Sequence, residues 1–409
     1  MRTWCVTVLL VCGTLTGSAA PAATAAPCAR AAAARAGRWF DARPPLPDRN
    51  PGRHLLEGSH ILRAAAVDPA DPRVVVATDG TRVQRSDDGG CTWREVWDVG
   101  VEDVVTEIAA LDVAHVGGRS RVLLVLVTEP PRPYANLARF QVVRSEDGRT
   151  GWATVHTAFG VLTSYHSDPV ALVRSGAGGV AYAALPSLAA GTYSYVRSAD
   201  GTTWEDRTPP ADPDATVGLT GVAVSPWNAD EVWEWGVFGA SRLRVSLDGA
   251  LTWRTVDPWP TYEDDPSWLL ADVAWPRRGG PARVVVAGGS PPSSTTAADP
   301  AAVLAWSGDG GATWGLSFPP KPLSLVEGPL ASTARGDVVV AGRDGTVFLV
   351  PHSGRIPRRA EWRTLAPLGP PEPMATTHLG YDADRASATS PGVVLVPGLQ
   401  RLRLLTVAP

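Results

Sequence analysis

The chain has 409 residues, 44% of them hydrophobic, with a net charge of −4 and a mean hydropathy of −0.02. That much apolar side chain excludes a disordered polyelectrolyte and can build a sizeable core. A pI near 6.0 lacks the basic excess expected of a nucleic-acid binder. Gly 41 and Pro 38 point to many turns, and a lone lysine, Lys321, among many Arg and Ala points to a high-GC bacterial coding bias.

In chain order, Arg2, the apolar stretch Trp4 to Leu15 and the small-residue run Ala23-Thr24-Ala25 read as a signal peptide over 1–25 and an exported chain. Residues 26–37 form an N-terminal segment, and 38–409 a single domain. No later segment offers 18 apolar residues in a row, so no membrane span is expected. Val11 before Cys12 and Pro27 before Cys28 do not fit a lipid-anchor site. Cleavage after Ala25 leaves Cys28 and Cys91, which form either one disulfide or two unpaired thiols. So few thiolates and no histidine pair at ligand spacing leave no metal or cofactor expected.

A repeat then organises the rest. Tryptophans fall at Trp39, Trp93, Trp152, Trp204, Trp253, Trp314 and Trp362, with gaps from 48 (362 − 314) to 61 (314 − 253) residues, near the upper end for propeller blades. The first unit holds apolar runs at Ile61 to Val67, Arg73 to Ala77, Arg82 to Ser86 and Trp93 to Val96, four strands separated by turn residues. The same order returns in Val217 to Val224, Glu231 to Gly236 and Ser241 to Ser246 before Trp253. Leu269 to Ala274, Arg283 to Ala287 and Ala302 to Trp306 precede Trp314, and Val338 to Ala341 and Val347 to Val350 precede Trp362. Four short strands per repeat predict blades of a seven-bladed, all-β propeller. Trp39 lacks room for three preceding strands, whereas Thr376 to Tyr381, Gly392 to Val396 and Arg401 to Val407 lack a following tryptophan. Joining these ends completes the seventh blade and covers two strand edges.

Five units carry a box before the tryptophan. These run Ser86-Asp-Asp88-Gly-Gly-Cys-Thr-Trp93, Ser145-Glu-Asp147-Gly-Arg-Thr-Gly-Trp152, Ser198-Ala-Asp200-Gly-Thr-Thr-Trp204, Ser246-Leu-Asp248-Gly-Ala-Leu-Thr-Trp253 and Ser307-Gly-Asp309-Gly-Gly-Ala-Thr-Trp314. Each joins a third strand to a fourth. Glycine permits positive φ, Ser and Asp accept hydrogen bonds from turn amides, and the indole is expected between neighbouring blades. The boxes resemble the Asp-box (BNR) repeat of sialidases, sortilin-type receptors, some xyloglucanases and photosystem assembly factors. Arg149, Gly151, Ala250 and the shortened third box depart from the usual pattern. The resemblance implies a propeller whose box acids are structural and lie on the face away from the functional mouth.

With the box turns at the bottom, strand polarity puts Cys28 on the same side as Cys91, where the two can pair. The opposite loops then carry the candidate ligand residues Tyr134, His166, Trp259, Tyr262, Glu263 and Asp264. Arg53, His54, His60, Glu102, Asp103, Glu129, Arg132, Tyr165, Asp168 and Asp265 lie in the same set of loops. Each group alone also fits solvated loop surface. An aromatic, acidic rim suits a carbohydrate or a basic protein segment. The sialidase resemblance implies an arginine triad, a tyrosine nucleophile with a glutamate, and an Arg-Ile-Pro signature in the first blade. Here that stretch is His60-Ile-Leu-Arg63-Ala, and Arg355-Ile-Pro357 falls in the sixth unit, so the triad is not transferred. Arg63 and Arg174 remain candidates for inner strands. The resulting expectation is a monomeric, non-catalytic binding or assembly module for a protein or glycan ligand, with an exo-acting glycosidase as the alternative.

Overall fold

The structure is a computed structural model describing residues 39–42, 64–100, 106–128, 137–161, 171–189, 192–208, 219–236, 243–257, 269–275, 284–289, 303–320, 330–332, 337–341, 347–351, 358–365, 393–397 and 402–406. These residues form antiparallel sheets, and the only helical pieces among them are the short 3-10 turns Ala177–Gly179 and Arg359–Glu361. No helix among the described residues is long and apolar enough to cross a membrane.

Six sheets are four-stranded, and in each the spatial order follows the chain. Sheet 1 comprises Ala64–Val67, Val75–Thr78, Arg82–Ser86 and Arg94–Asp98, and sheet 2 Thr106–Val116, Arg119–Thr128, Leu137–Ser145 and Ala153–Val161. Sheet 3 comprises Leu172–Ser175, Ala181–Pro186, Tyr193–Ser198 and Glu205–Asp206, and sheet 4 Leu219–Val224, Val232–Gly236, Leu243–Ser246 and Arg254–Val256. Sheet 5 comprises Leu269–Ala274, Val284–Gly289, Val303–Ser307 and Gly315–Ser317, and sheet 6 Leu330–Ser332, Val338–Ala341, Val347–Val350 and Arg363–Thr364. A three-stranded terminal sheet joins the ends of the chain in the order Trp39–Ala42, Leu402–Thr406, Val393–Pro397. Trp39 pairs with Leu405, and Ala42 with Leu402.

First strands of consecutive sheets lie side by side from sheet 1 to sheet 6, and Val393–Pro397 lies beside Ala64–Val67. Burial follows from that placement. The first three strands of sheet 1 are buried throughout, whereas Arg94–Asp98 is exposed to half-buried.

Sheet faces pack on sheet faces, as the alternation in Arg119–Thr128 makes plain. Val122, Leu124 and Leu126 join Ala64, Val76 and Val83 of sheet 1. Leu123, Val125 and Val127 turn the other way, onto Val173, Ala183 and Leu185 of sheet 3. A strand buried on both faces must read as a continuous apolar run, and this one does. Similar clusters bind sheet 3 to sheet 4 and sheet 4 to sheet 5. Sheets 2 and 3 approach so closely at their edge that a Cβ on Gly160 would lie 2.0 Å from the Pro186 carbonyl oxygen.

Three strand starts differ from the sequence expectation for a local reason: the amide of Glu231 bonds to Asn228 O at 3.1 Å, so the second strand of sheet 4 begins at Val232, and the other two lie in sheet 1. The second strand begins at Val75 because Asp71 accepts from the Arg73 amide at 3.1 Å and pairs with its guanidinium at 2.7 Å, holding Arg73 in the turn. The fourth begins at Arg94 because Trp93 is the last residue of the box turn. Thr376 to Tyr381 lies outside the described residues.

Candidate functional site

Antiparallel order puts the turns between first and second strands, and between third and fourth, at one end of every four-stranded sheet. That end carries the boxes. In the first box, Asp88 Oδ1 accepts from the amides of Cys91 at 3.0 Å and Thr92 at 2.8 Å. Ser86 Oγ donates to Asp88 at 2.8 Å and accepts from Gly90 N at 2.8 Å. Asp248 and Asp309 repeat this pattern with Leu251 and Thr252, and with Ala312 and Thr313. Two successive left-handed residues make the turn: Gly89 and Gly90, Gly249 and Ala250, Gly310 and Gly311.

The second and third boxes use a shorter turn. Asp147 accepts from Arg149 N and Thr150 N, both at 2.8 Å, and Asp200 from Thr202 N at 2.7 Å and Thr203 N at 2.8 Å. One left-handed glycine suffices in this loop, Gly148 or Gly201, and Gly151, at φ 63°, takes up the extra residue of the second box. By length the second box resembles the first; by hydrogen bonding it matches the third.

These bonds favour ionised carboxylates. The Thr203 and Thr202 amides hold Asp200 down to about 2, and the Thr313 hydroxyl and amide hold Asp309 down to about 2. At Asp147 burial pushes upward, but the Thr150 and Arg149 amides outweigh it, again giving about 2. Such acids do not donate protons near neutral pH.

Each described box tryptophan from the second onward packs on the preceding sheet. Trp152 stacks on Trp97 at 5.3 Å and donates to Val96 O at 3.2 Å. Trp204 meets His156 at 6.1 Å, Trp253 meets Tyr195 at 5.5 Å, and Trp314 meets Trp233 edge-on at 6.1 Å. These four rings are half-buried. Trp362 has no box before it, yet keeps the same register, since Arg359–Glu361 supplies the turn and its indole donates to Ser317 Oγ of sheet 5 at 2.8 Å.

Arginines preceding the box serines add a second inter-sheet link that the sequence reading passed over. Arg85 donates to Asp147 O at 3.0 Å, and Arg144 to Asp200 O at 3.4 Å. Arg197 donates to Tyr182 Oη and to Asp230 of sheet 4, both at 2.9 Å. The signal was the recurrent Arg-Ser pair at 85–86, 144–145 and 197–198.

Between the sheets lies a set of buried polar groups. Tyr195 donates to Glu234, which also pairs with Arg244, and the Arg244 guanidinium lies 5.5 Å from the Trp253 ring centroid. Burial pushes the Tyr195 hydroxyl well up, with the Glu234 charge adding to it. Burial likewise raises Glu234, against the opposing charge of Arg244. At 4% exposure each, this tyrosine–glutamate pair is closed to a sugar. Glu231 accepts from Trp233 at 2.9 Å and Trp275 at 2.8 Å, tying sheet 4 to sheet 5. Asp68 caps its own turn and holds His115 at 3.0 Å. Asp112 accepts from Ser175 N at 2.6 Å, and burial raises its carboxyl against the nearby Arg174 charge. Arg174 is half-buried and donates to Val173 O at 2.9 Å.

No group of three or more His, Cys, Asp or Glu that could hold a metal occurs among the described residues. Cys91 is disulfide-bonded, and its partner lies outside the described residues. Tyr134, His166, Trp259, Tyr262, Glu263 and Asp264 also lie outside them, as do Arg63, the other loop candidates and Cys28.

No protein-family model matches the sequence, and no curated protein matches it. Solved structures do. YCF48 bound to D1 peptide is 15% identical, with 91% of this chain and 97% of that one covered and a TM-score of 0.50. YCF48 from Cyanidioschyzon merolae gives 12%, 90%, 98% and 0.47. The GH93 alpha-L-arabinofuranosidase of Fusarium graminearum with arabinobiose gives 13%, 90%, 98% and 0.46. At these identities the likeness concerns the fold alone: the chain has a β-propeller fold.

Proposed function

We propose that this chain is a secreted, monomeric, seven-bladed propeller that binds a protein segment or glycan, without catalysis, through the face opposite its boxes. The terminal sheet is the seventh blade, and its N-terminal strand closes the ring. The observation that supports the reading is the contrast between the two ends of the sheets. At the box end the turns are short, and their acids are occupied by turn amides and their arginines by the next sheet. At the other end 79–81 and 187–192 are short too, but the connections 162–171, 257–268, 290–302 and 318–329 are long. Variable loops on a fixed scaffold suit recognition. The peptide bound by YCF48 gives the protein-segment reading a precedent on a similar fold.

A peptide library and a glycan array, followed by assays on chromogenic sialosides and other glycosides, test this. Saturable binding without turnover is expected. Turnover lost in Asp264→Asn and kept in Asp248→Asn would replace binding by glycoside hydrolysis.

A further inference from the structure

Cys91 sits in the box turn of sheet 1, half-buried, with its amide held by Asp88 at 3.0 Å. A thiol on so constrained a turn is a fixed anchor, and it is disulfide-bonded. The other cysteines are Cys5, Cys12 and Cys28. Cys5 and Cys12 belong to the apolar leader that export would remove. The terminal sheet lies beside sheet 1, through Val393–Pro397 against Ala64–Val67. Its strand Leu402–Thr406 lies between Val393–Pro397 and Trp39–Ala42. Trp39 pairs with Leu405, so the N-terminal strand is held on the sheet that lies beside sheet 1. Cys28 precedes Trp39 by 11 residues (39 − 28), a reach of up to about 40 Å, whereas packed sheets are only about 10 Å apart.

We propose that Cys91 is bonded to Cys28 and that this cross-link clamps the N-terminal strand onto Leu402–Thr406, making closure of the ring depend on oxidation. Bond formation joins the two Sγ atoms and releases two protons and two electrons. A disulfide-bearing thiol oxidant takes up both as its own S–S bond opens to two thiols. Reduction reverses the step. The strand Trp39–Ala42 then keeps its ladder with Leu402–Thr406 but loses the covalent tie, and its departure would bare the edge of that strand.

The test uses the secreted chain, alkylated before any reduction and mapped by mass spectrometry. A single cross-linked peptide pair containing Cys28 and Cys91 is expected. Alkylated Cys28, or Cys91 joined to another cysteine, overturns the pairing. Thermal melting and limited proteolysis then test the clamp. Cys28→Ser, and wild type in reductant, should each melt about 5 °C below the oxidised chain and be cut faster within residues 26–42. Equal melting and equal cleavage with and without reductant overturn the clamp. Should Cys28→Ser not fold, the reductant comparison on folded wild type gives the same two readouts.

Discussion

Ala250 is the only non-glycine residue with positive φ among the described residues, at 67°, in the place that Gly90 and Gly311 occupy in their boxes. Its methyl group is fully buried in the cluster between sheets 3 and 4. A left-handed alanine costs about 1–2 kcal/mol, and burying a methyl returns about 0.8 kcal/mol, so Ala250→Gly should change stability by no more than about 1 kcal/mol in urea melts. Gly311→Ala should behave differently. Its φ is 88°, and the new Cβ would lie 2.8 Å from Trp233 Cη2 and 3.2 Å from Trp314 Cζ2, so a loss of about 1–3 kcal/mol is expected. The box aspartates predict the acid limb. A carboxyl held at about 2 when folded, against an ordinary value of 3.8, adds stability that is fully present above about pH 4 and is lost as pH falls toward 2. Replacing Asp147, Asp200 and Asp309 by Asn should flatten the fall in melting temperature over that window. The residue types of the boxes were legible in the sequence because one template recurs five times. The difference between the two turn forms was not, since Gly151 restores the length of the second box while its amide pattern follows the third.

At the scale of elements, each sheet is fastened to the next by apolar faces, a tryptophan and a polar link. Many strands were legible from short apolar runs between Gly, Asp and Ser, but the burial of Val122 to Val127 on both faces emerged only from the structure. The polar links carry no such signal. Tyr195 and Glu234 are 39 residues apart on different sheets, and nothing local ties one to the other. Removing the acceptor from this buried trio should be severe: Glu234→Ala takes the carboxylate from Arg244 and should cost about 3–5 kcal/mol, whereas Tyr195→Phe removes one hydrogen bond and should cost about 1–3 kcal/mol. Equilibrium urea unfolding of the two variants checks the order. Equal, small losses would mean that the trio adds little to the other contacts between sheets 3 and 4.

For the whole molecule, the tryptophan spacing and the unmatched ends foretold that Trp39–Ala42 would lie on Leu402–Thr406. The ligand residues were beyond that kind of reasoning. Loops such as 162–170 and 258–268 carry no period and no turn template. Their chemistry is read only against a bound partner. Deleting residues 26–42 should bare the Leu402–Thr406 edge and give dimers or aggregates in light scattering. Hydrogen exchange on the mature chain, with and without its best peptide or glycan from the arrays, most directly tests which face is functional. Protection is expected in 129–136, 162–170 and 258–268, with the five box turns unchanged. Protection centred on the box turns around Asp88, Asp147, Asp200, Asp248 and Asp309 would contradict it.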